Sequence, residues 1–353
     1  MPLSRNPSKA GMKRPGAGLR VVAIGGGTGL STLLKGLKAY VVRPEYLYAF
    51  APTDIHIAEL CAVVTVSDDG GSSGRLSKEF NILPPGDIRN CIVALSQDEA
   101  LLSRLFQHRF KKGSGLEGHS FGNLFLTALT ALTDDDFAEA VRLSSEILSI
   151  RGRIYPVTTS HVILEALMED GTRVKGETKI GRSKGKIREL FLVPPDVKPM
   201  PQTLEAIASA DLITIGPGSL FTSLIANLLV PGVASAIRKS SALKVYIGNL
   251  MTQANESLGL TVSDHIRALN NHAGGPIFDY ALINRMPVSS RMKAKYALQG
   301  AAPIISDLKE VEALGVSPVL GDYLEEAEQV RHATGKVAQD LLQLALQSKE
   351  QRK

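Results

Sequence analysis

The stretch "VVAIGGGTGLSTLLKGL", Val21 to Leu37, opens with a β-branched run, breaks at a block of glycines and continues with leucines at helical spacing. A buried strand that ends this way turns backbone N–H groups toward a helix start, the arrangement that cradles a phosphate. The same reading applies to "LITIGPGSLFTSLI", Leu212 to Ile225. Two such turns predict one parallel sheet whose carboxyl edge holds a ligand where the strand order reverses. The expected ligand is a nucleotide or another phosphorylated metabolite, gripped from both sides of one cleft.

Working outward, strand and helix signals alternate along most of the chain, the pattern of a doubly wound, mainly parallel α/β sheet. Strands are expected at Arg20 to Ile24, Cys61 to Val66, Leu212 to Ile215, Lys244 to Ile247 and Tyr280 to Ile283. Helices are expected at Leu30 to Ala39, Asp87 to Leu95, Glu99 to Arg109, Asn123 to Leu132, Asp136 to Leu148 and Val262 to Asn271. The segment from Arg151 to Val193 alternates and turns at Asp170-Gly171, which predicts a small antiparallel β excursion. A C-terminal helix from Thr334, as N-cap, to Leu346 closes a single α/β domain over residues 19–346, with a charged tail at 347–353.

The chain has 353 residues, 44% of them hydrophobic, enough for a large core. Arg5, Lys9, Lys13, Arg14 and Arg20 precede the first acid, Glu45, and account for the whole excess of 40 bases over 35 acids. The body is therefore neutral, which argues against nucleic acid as a partner. Residues 1–18 read as a disordered basic tail with no signal-peptide core. Only Cys61 and Cys91 occur, without metal-type spacing, so a reduced, cytoplasmic setting is expected. The uncharged run from Leu212 to Ile237 is interrupted by Pro217 and Pro231, so no membrane span is expected.

Several constellations offer ligand-binding groups. Gly25, Gly26, Gly27, Thr28 and Gly29 form the first turn, where any Cβ would hold a phosphate oxygen off the backbone. It is not a P-loop, since no Lys-Ser or Lys-Thr pair follows, and Leu30 breaks the dinucleotide fingerprint. In "VSDDGGSSGRL", Asp68 and Asp69 leave a strand end ahead of Gly70 and Ser73. Adjacent carboxylates need a neutralising partner, so one is assigned to ribose and one to Mg²⁺ beside a phosphate. Asp87 and Asn90 sit in "PPGDIRN", and His119 and Asn123 in "GHSFGN", immediately before an apolar helix. Gly216, Pro217, Gly218 and Ser219 precede an uncharged helix whose dipole favours an anion. Asn249 ends another strand with neutral donors, and Arg331 lies near the last helix, within reach of a phosphate if that helix folds back. No nucleophile elbow, zinc-protease motif or cysteine cluster is present.

With "GGGTGLS", "VSDDGGSSGRL", "PPGDIRN", "GHSFGNL", "IGPGSLFTS" and "NLMTQANES" in this order, the chain resembles the YvcK family of gluconeogenesis factors, related to CofD. The resemblance covers about Leu19 to Leu346 and implies a Rossmann-like fold with a nucleotide in the cleft. CofD-type members are Mg²⁺-dependent 2-phospho-L-lactate transferases, whereas the YvcK branch binds UDP-sugars such as UDP-N-acetylglucosamine and is needed for cell shape on gluconeogenic carbon sources. "PPGDIRN" resembles the latter branch, so binding is expected over turnover, with cell-wall synthesis proteins and homo-oligomers as partners. A nicotinamide dinucleotide is the ligand of a third reading that rests on the glycine turn alone. Between Val41 and Glu59 the chain is longer than the family's usual connection, an insertion expected to form a lid or an oligomer contact.

Overall fold

Val21 and Ala23 face one apolar layer and Val22 and Ile24 the other, so the strand that holds them is covered on both sides. This is β1, Leu19–Gly25, in a computed structural model that describes residues 18–42, 55–97, 101–183 and 185–352. Most of the basic tail and of the 41–59 insertion, expected to form a lid or an oligomer contact, lies outside the described residues.

From β1 the chain runs into α1 (Gly27–Lys38), β2 (Ile57–Val64), α2 (Gly71–Phe80), α3 (Gly86–Leu95), α4 (Leu101–Gln107), α5 (Phe121–Leu132), α6 (Phe137–Ile147) and β3 (Arg153–Pro156). An excursion follows, with β4 (Ile163–Met168), β5 (Arg173–Lys175), α7 (Glu177–Ile180) and β6 (Ile187–Val193). The second half comprises α8 (Pro201–Ser209), β7 (Leu212–Ile215), a π-helical turn (Leu220–Ile225), α9 (Ala226–Leu228), α10 (Val233–Lys239), β8 (Leu243–Ile247), α11 (Val262–Ala273) and β9 (Tyr280–Asn284). It closes with α12 (Ser290–Ala297), α13 (Leu308–Ala313), β10 (Ser317–Gly321), β11 (Leu324–Glu326), β12 (Val330–His332) and α14 (Thr334–Gln351).

Seven parallel strands lie in the order β10-β9-β8-β7-β1-β2-β3, with helices on both faces. This is the doubly wound, Rossmann-like sheet, and its order reverses between β1 and β7. On one face α1 inserts Leu30, Leu33, Leu34 and Leu37, spaced to share one helical stripe, and α14 adds Val337, Ala338, Leu341 and Leu342. Each buried leucine stabilises the fold by about 1.5–3 kcal/mol. On the other face α11 and the uncharged segment after β7 form the second layer.

Three boundaries differ from the expectation. Arg153–Pro156 pairs parallel with β2 at the sheet edge, so the antiparallel excursion begins only at Ile163. The strand before Asp68 ends at Val64 instead of Val66, with the Thr65 N–H donating to the Gly25 carbonyl as the last rung beside β1. Thr334 is the first residue of the last helix and Ala333 its N-cap, and the helix continues through most of the expected charged tail to Gln351. No single helix among the described residues is long and apolar enough to cross a membrane; the pair Leu220–Leu228 and Val233–Lys239 passes on length and composition but bends by 75°.

Candidate functional site

Because β1 and β7 are neighbours at the reversal, the two glycine turns leave the sheet side by side. They touch: a methyl group at Gly29 would collide with the Pro217 carbonyl oxygen. Gly27 adopts φ +61°, a left-handed conformation that glycine takes without strain. Gly26 to Gly29, Pro217 to Ser219 and Asn249 line one cleft of about 270 Å³, closed on its far side by Tyr296 and Arg331. Gly25 and Gly216 sit just beneath it, at the strand ends.

The two turns are not equivalent. Among the first N–H groups of α1, that of Gly27 is given to Asp87, while Thr28 and Gly29 follow with the orphan donors of a helix start. At the second turn, Asn249 clamps Gly218 reciprocally, accepting from its N–H at 3.3 Å and donating to its carbonyl at 2.8 Å. Glu256 then caps the helix start, taking the Phe221 N–H at 3.3 Å and the Thr222 hydroxyl at 2.7 Å. The expected free dipole after Ser219 thus already meets the Glu256 carboxyl group, whose pKa is raised by burial, whereas the first turn offers the N–H groups of Thr28 and Gly29.

Beside the cradle stands an acidic wall. A side chain on Gly26 would come within 2.8 Å of Asp87 Oδ2, and one on Gly86 within 2.8 Å of Asp68 Oδ2. Burial, then the charge of Asp68, pushes Asp87 up to about 6, against the Gly27 N–H and the Arg89 guanidinium. Asp68 is raised chiefly by burial, and Glu177, from α7, well above its ordinary range by burial and by both aspartates. Asp69 does not join them. Its carboxylate turns to the excursion, accepting the Thr178 N–H at 2.8 Å and hydroxyl at 2.6 Å. The expected Asp68–Asp69 pair is therefore replaced by Asp68 and Asp87.

Mg²⁺ beside phosphates takes one or two carboxylates and keeps its other positions for phosphate and water. Asp68 and Asp87, two hard-oxygen donors beside the first glycine turn, with the charge of Asp68 helping to raise the pKa of Asp87, fit that demand. A cage made by protein alone is not formed, since no three His, Cys, Asp or Glu side chains are grouped to hold a metal among the described residues.

Behind the acidic wall the remaining candidates form a buried polar network. Arg89 donates to Ser120 Oγ at 2.7 Å, Asn123 Oδ1 at 3.1 Å and Asn90 Oδ1 at 2.7 Å. Ser72 Oγ meets His119 Nδ1 at 3.0 Å and accepts from Asn123 Nδ2 at 3.1 Å. Ser73 accepts the Gly86 N–H at 3.1 Å, and Gly70 donates to Asp68 at 2.9 Å. His119, Asn123 and Asn90 thus position α2, α3 and α5 behind Asp68 and Asp87 and do not line the cleft between the turns. Burial keeps the His119 imidazole neutral, its pKa lowered.

Arg331 reaches the cleft on the β11–β12 hairpin, ahead of α14 as expected. Beside it, His332 Nε2 donates to the Gly248 carbonyl at 3.0 Å, and the Tyr296 hydroxyl accepts the Val330 N–H at 3.1 Å, fixing the hairpin over the cleft. Sequence reasoning missed Arg89, Glu177, Glu256 and Tyr296. Arg89 and Glu256 lay inside quoted motifs, but the tertiary contacts that bring Glu256, Glu177 and Tyr296 to the site are encoded by no local spacing.

The profile of the CofD family, described as 2-phospho-L-lactate transferase CofD, matches residues 21–324. The chain is 49% identical over 325 residues to a protein of Halalkalibacterium halodurans named gluconeogenesis factor, covering 92% of this chain and 95% of that one. It is 45% identical over 326 residues to the gluconeogenesis factor of Bacillus subtilis, covering 92% and 98%. A crystal structure of a protein from Bacillus halodurans superposes with a TM-score of 0.85 at 47% identity, covering 92% of this chain and 100% of that one. With the fold, the ordered motifs and these matches agreeing, the chain belongs to the CofD family, beside the proteins named gluconeogenesis factors.

Proposed function

We propose that the protein is a cytoplasmic regulator of gluconeogenesis-factor type that binds a nucleotide-sugar resembling UDP-N-acetylglucosamine and links its supply to cell-wall synthesis and cell shape. The observation that carries this reading is the contact between the two glycine turns at the reversal of strand order, which makes one cleft of them. The diphosphate rests on Thr28 and Gly29 with Gly218 and Ser219 opposite, and Arg331 supplies the positive charge. Asp68 and Asp87 would hold a Mg²⁺ ion, whose charge would offset theirs beside the phosphate. Binding rather than turnover is favoured because the cleft is lined by backbone amides, hydroxyls, side-chain amides, His332 and Arg331, with no carboxylate or thiol among the described residues that line it.

Titration calorimetry with UDP-N-acetylglucosamine tests the reading. Arg331 is exposed, so Arg331→Ala leaves the fold intact. Loss of a charge-assisted hydrogen bond costs about 1.5–3 kcal/mol, so affinity should fall roughly ten- to hundredfold. Equal affinities for both proteins, or no heat with either, would remove the proposal.

A second reading is favoured by Asp68 and Asp87 standing at the phosphate turn: a CofD-like transferase in which the same cleft delivers a phospholactyl group to an acceptor. Release of a nucleoside monophosphate that requires both Mg²⁺ and an acceptor would establish it; binding without release under those conditions leaves the regulator.

A further inference from the structure

Outside the glycine cleft, β6 forms one edge of the sheet β5-β4-β6, its outer side facing α11 across a groove of about 790 Å³. Free edges are normally blunted. β10 carries Pro318, and β5 is a three-residue strand bearing Arg173 and Lys175. β6 has no proline between Ile187 and Val193, and its one irregularity falls near Ile187, leaving Leu190–Val193 regular.

The direction of the unpaired groups follows from one bond. The Leu190 N–H points out of the sheet and is accepted at 3.1 Å by Nε2 of His272, on α11. With the period of two along a strand, Leu192 faces the same way, and its N–H and carbonyl border the groove with the Leu190 carbonyl. His272 Nδ1 donates to the Ala268 carbonyl at 2.7 Å, so the ring is a neutral acceptor, in keeping with a pKa lowered by burial. The imidazole occupies the place a carbonyl of an added strand would take. The groove floor is apolar, with Phe221, Leu229 and Leu260, and the wall of α11 recesses the edge.

We infer that this groove receives an extended peptide segment of a partner protein, which displaces the His272 imidazole from the Leu190 N–H, adds a fourth strand beside β6 and presents alternate apolar side chains to Phe221 and Leu260. Main-chain bonds to a sheet edge with pockets for alternate side chains are an established mode of peptide capture. The recessed edge admits a single segment and excludes the edge of a second folded copy. Charge narrows the segment. Lys186, Arg188 and Arg267 lie on the lips against Glu189 and Asp264, and Arg267 already holds Asp264 at 2.8 Å. The remaining excess is positive, so the captured segment carries an acidic residue at the Lys186 end.

The test is selection of a displayed library of random linear peptides on the full chain. Peptides alternating apolar residues beside an acid should be enriched. Ala268→Trp, which fills the groove from α11, should weaken them at least tenfold, and so should N-methylation of alternate peptide amides, measured on the unaltered protein. The N-methylated arm holds even if the tryptophan variant fails to fold. No enrichment, enriched peptides indifferent to N-methylation, or self-association of the chain abolished by Ala268→Trp would each overturn the inference, the last by making a second copy the occupant.

Discussion

Asp69 and Asp87, both expected near the cleft, take opposite roles, and the difference is measurable. Asp69 ties the antiparallel excursion to the main domain through Thr178. Asp69→Ala should therefore lower stability by about 2 kcal/mol, the scale of hydrogen bonds to a charged group, seen as a lower melting temperature with UDP-N-acetylglucosamine affinity unchanged. Asp87 behaves differently. Its pKa is raised from 3.8 to about 6, so in the folded chain it keeps a proton that the unfolded chain has released. The stability this confers is full below about pH 4 and is lost as pH rises through about 6. Asp87→Asn should remove that decline, about 3 kcal/mol between pH 4 and 7, in melting curves of the ligand-free protein. Mg²⁺ with the nucleotide should raise the melting temperature of the unaltered protein above pH 6 and act more weakly on Asp87→Asn. The sequence could place both aspartates at a strand end and Asp87 at a helix start. It could not show that Asp69 turns away, because the turning force is the Thr178 amide more than a hundred residues on.

At the scale of elements, the glycine turns were legible because the features that make them are local: a β-branched run, glycines, then leucines at helical spacing. Most strands and helices around them were legible for the same reason. Arg153–Pro156 was not, since a four-residue parallel edge strand has too few residues to show a period, and only its pairing with β2 defines it. The free helix dipole expected after Ser219 was misread because Glu256 comes from a separate loop. The close approach of the turns gives an element-level prediction. Gly29→Ala places a methyl group against the Pro217 carbonyl, so the turns must part. Overpacking of this kind costs about 1–3 kcal/mol, and the measurable consequence is loss of nucleotide-sugar binding in a protein that still melts cooperatively.

For the whole molecule, the decisive feature is that β1 and β7 lie side by side where the sheet reverses, with α1 going to one face and the segment after β7 to the other. A fold of this kind opens a crevice at that point, and this chain lines it with the backbone of both turns. The β11–β12 hairpin and α12 then close the crevice from outside through a small apolar cluster of Leu250, Val288, Met292 and Leu324, separate from the two main layers. The measurement that bears most directly on this account is a crystal structure with UDP-N-acetylglucosamine bound. The account predicts the diphosphate between Thr28–Gly29 and Gly218–Ser219, within hydrogen-bonding distance of the first turn and of Arg331. A diphosphate lying elsewhere on the molecule, with the two turns still pressed together and the crevice between them empty, would contradict it.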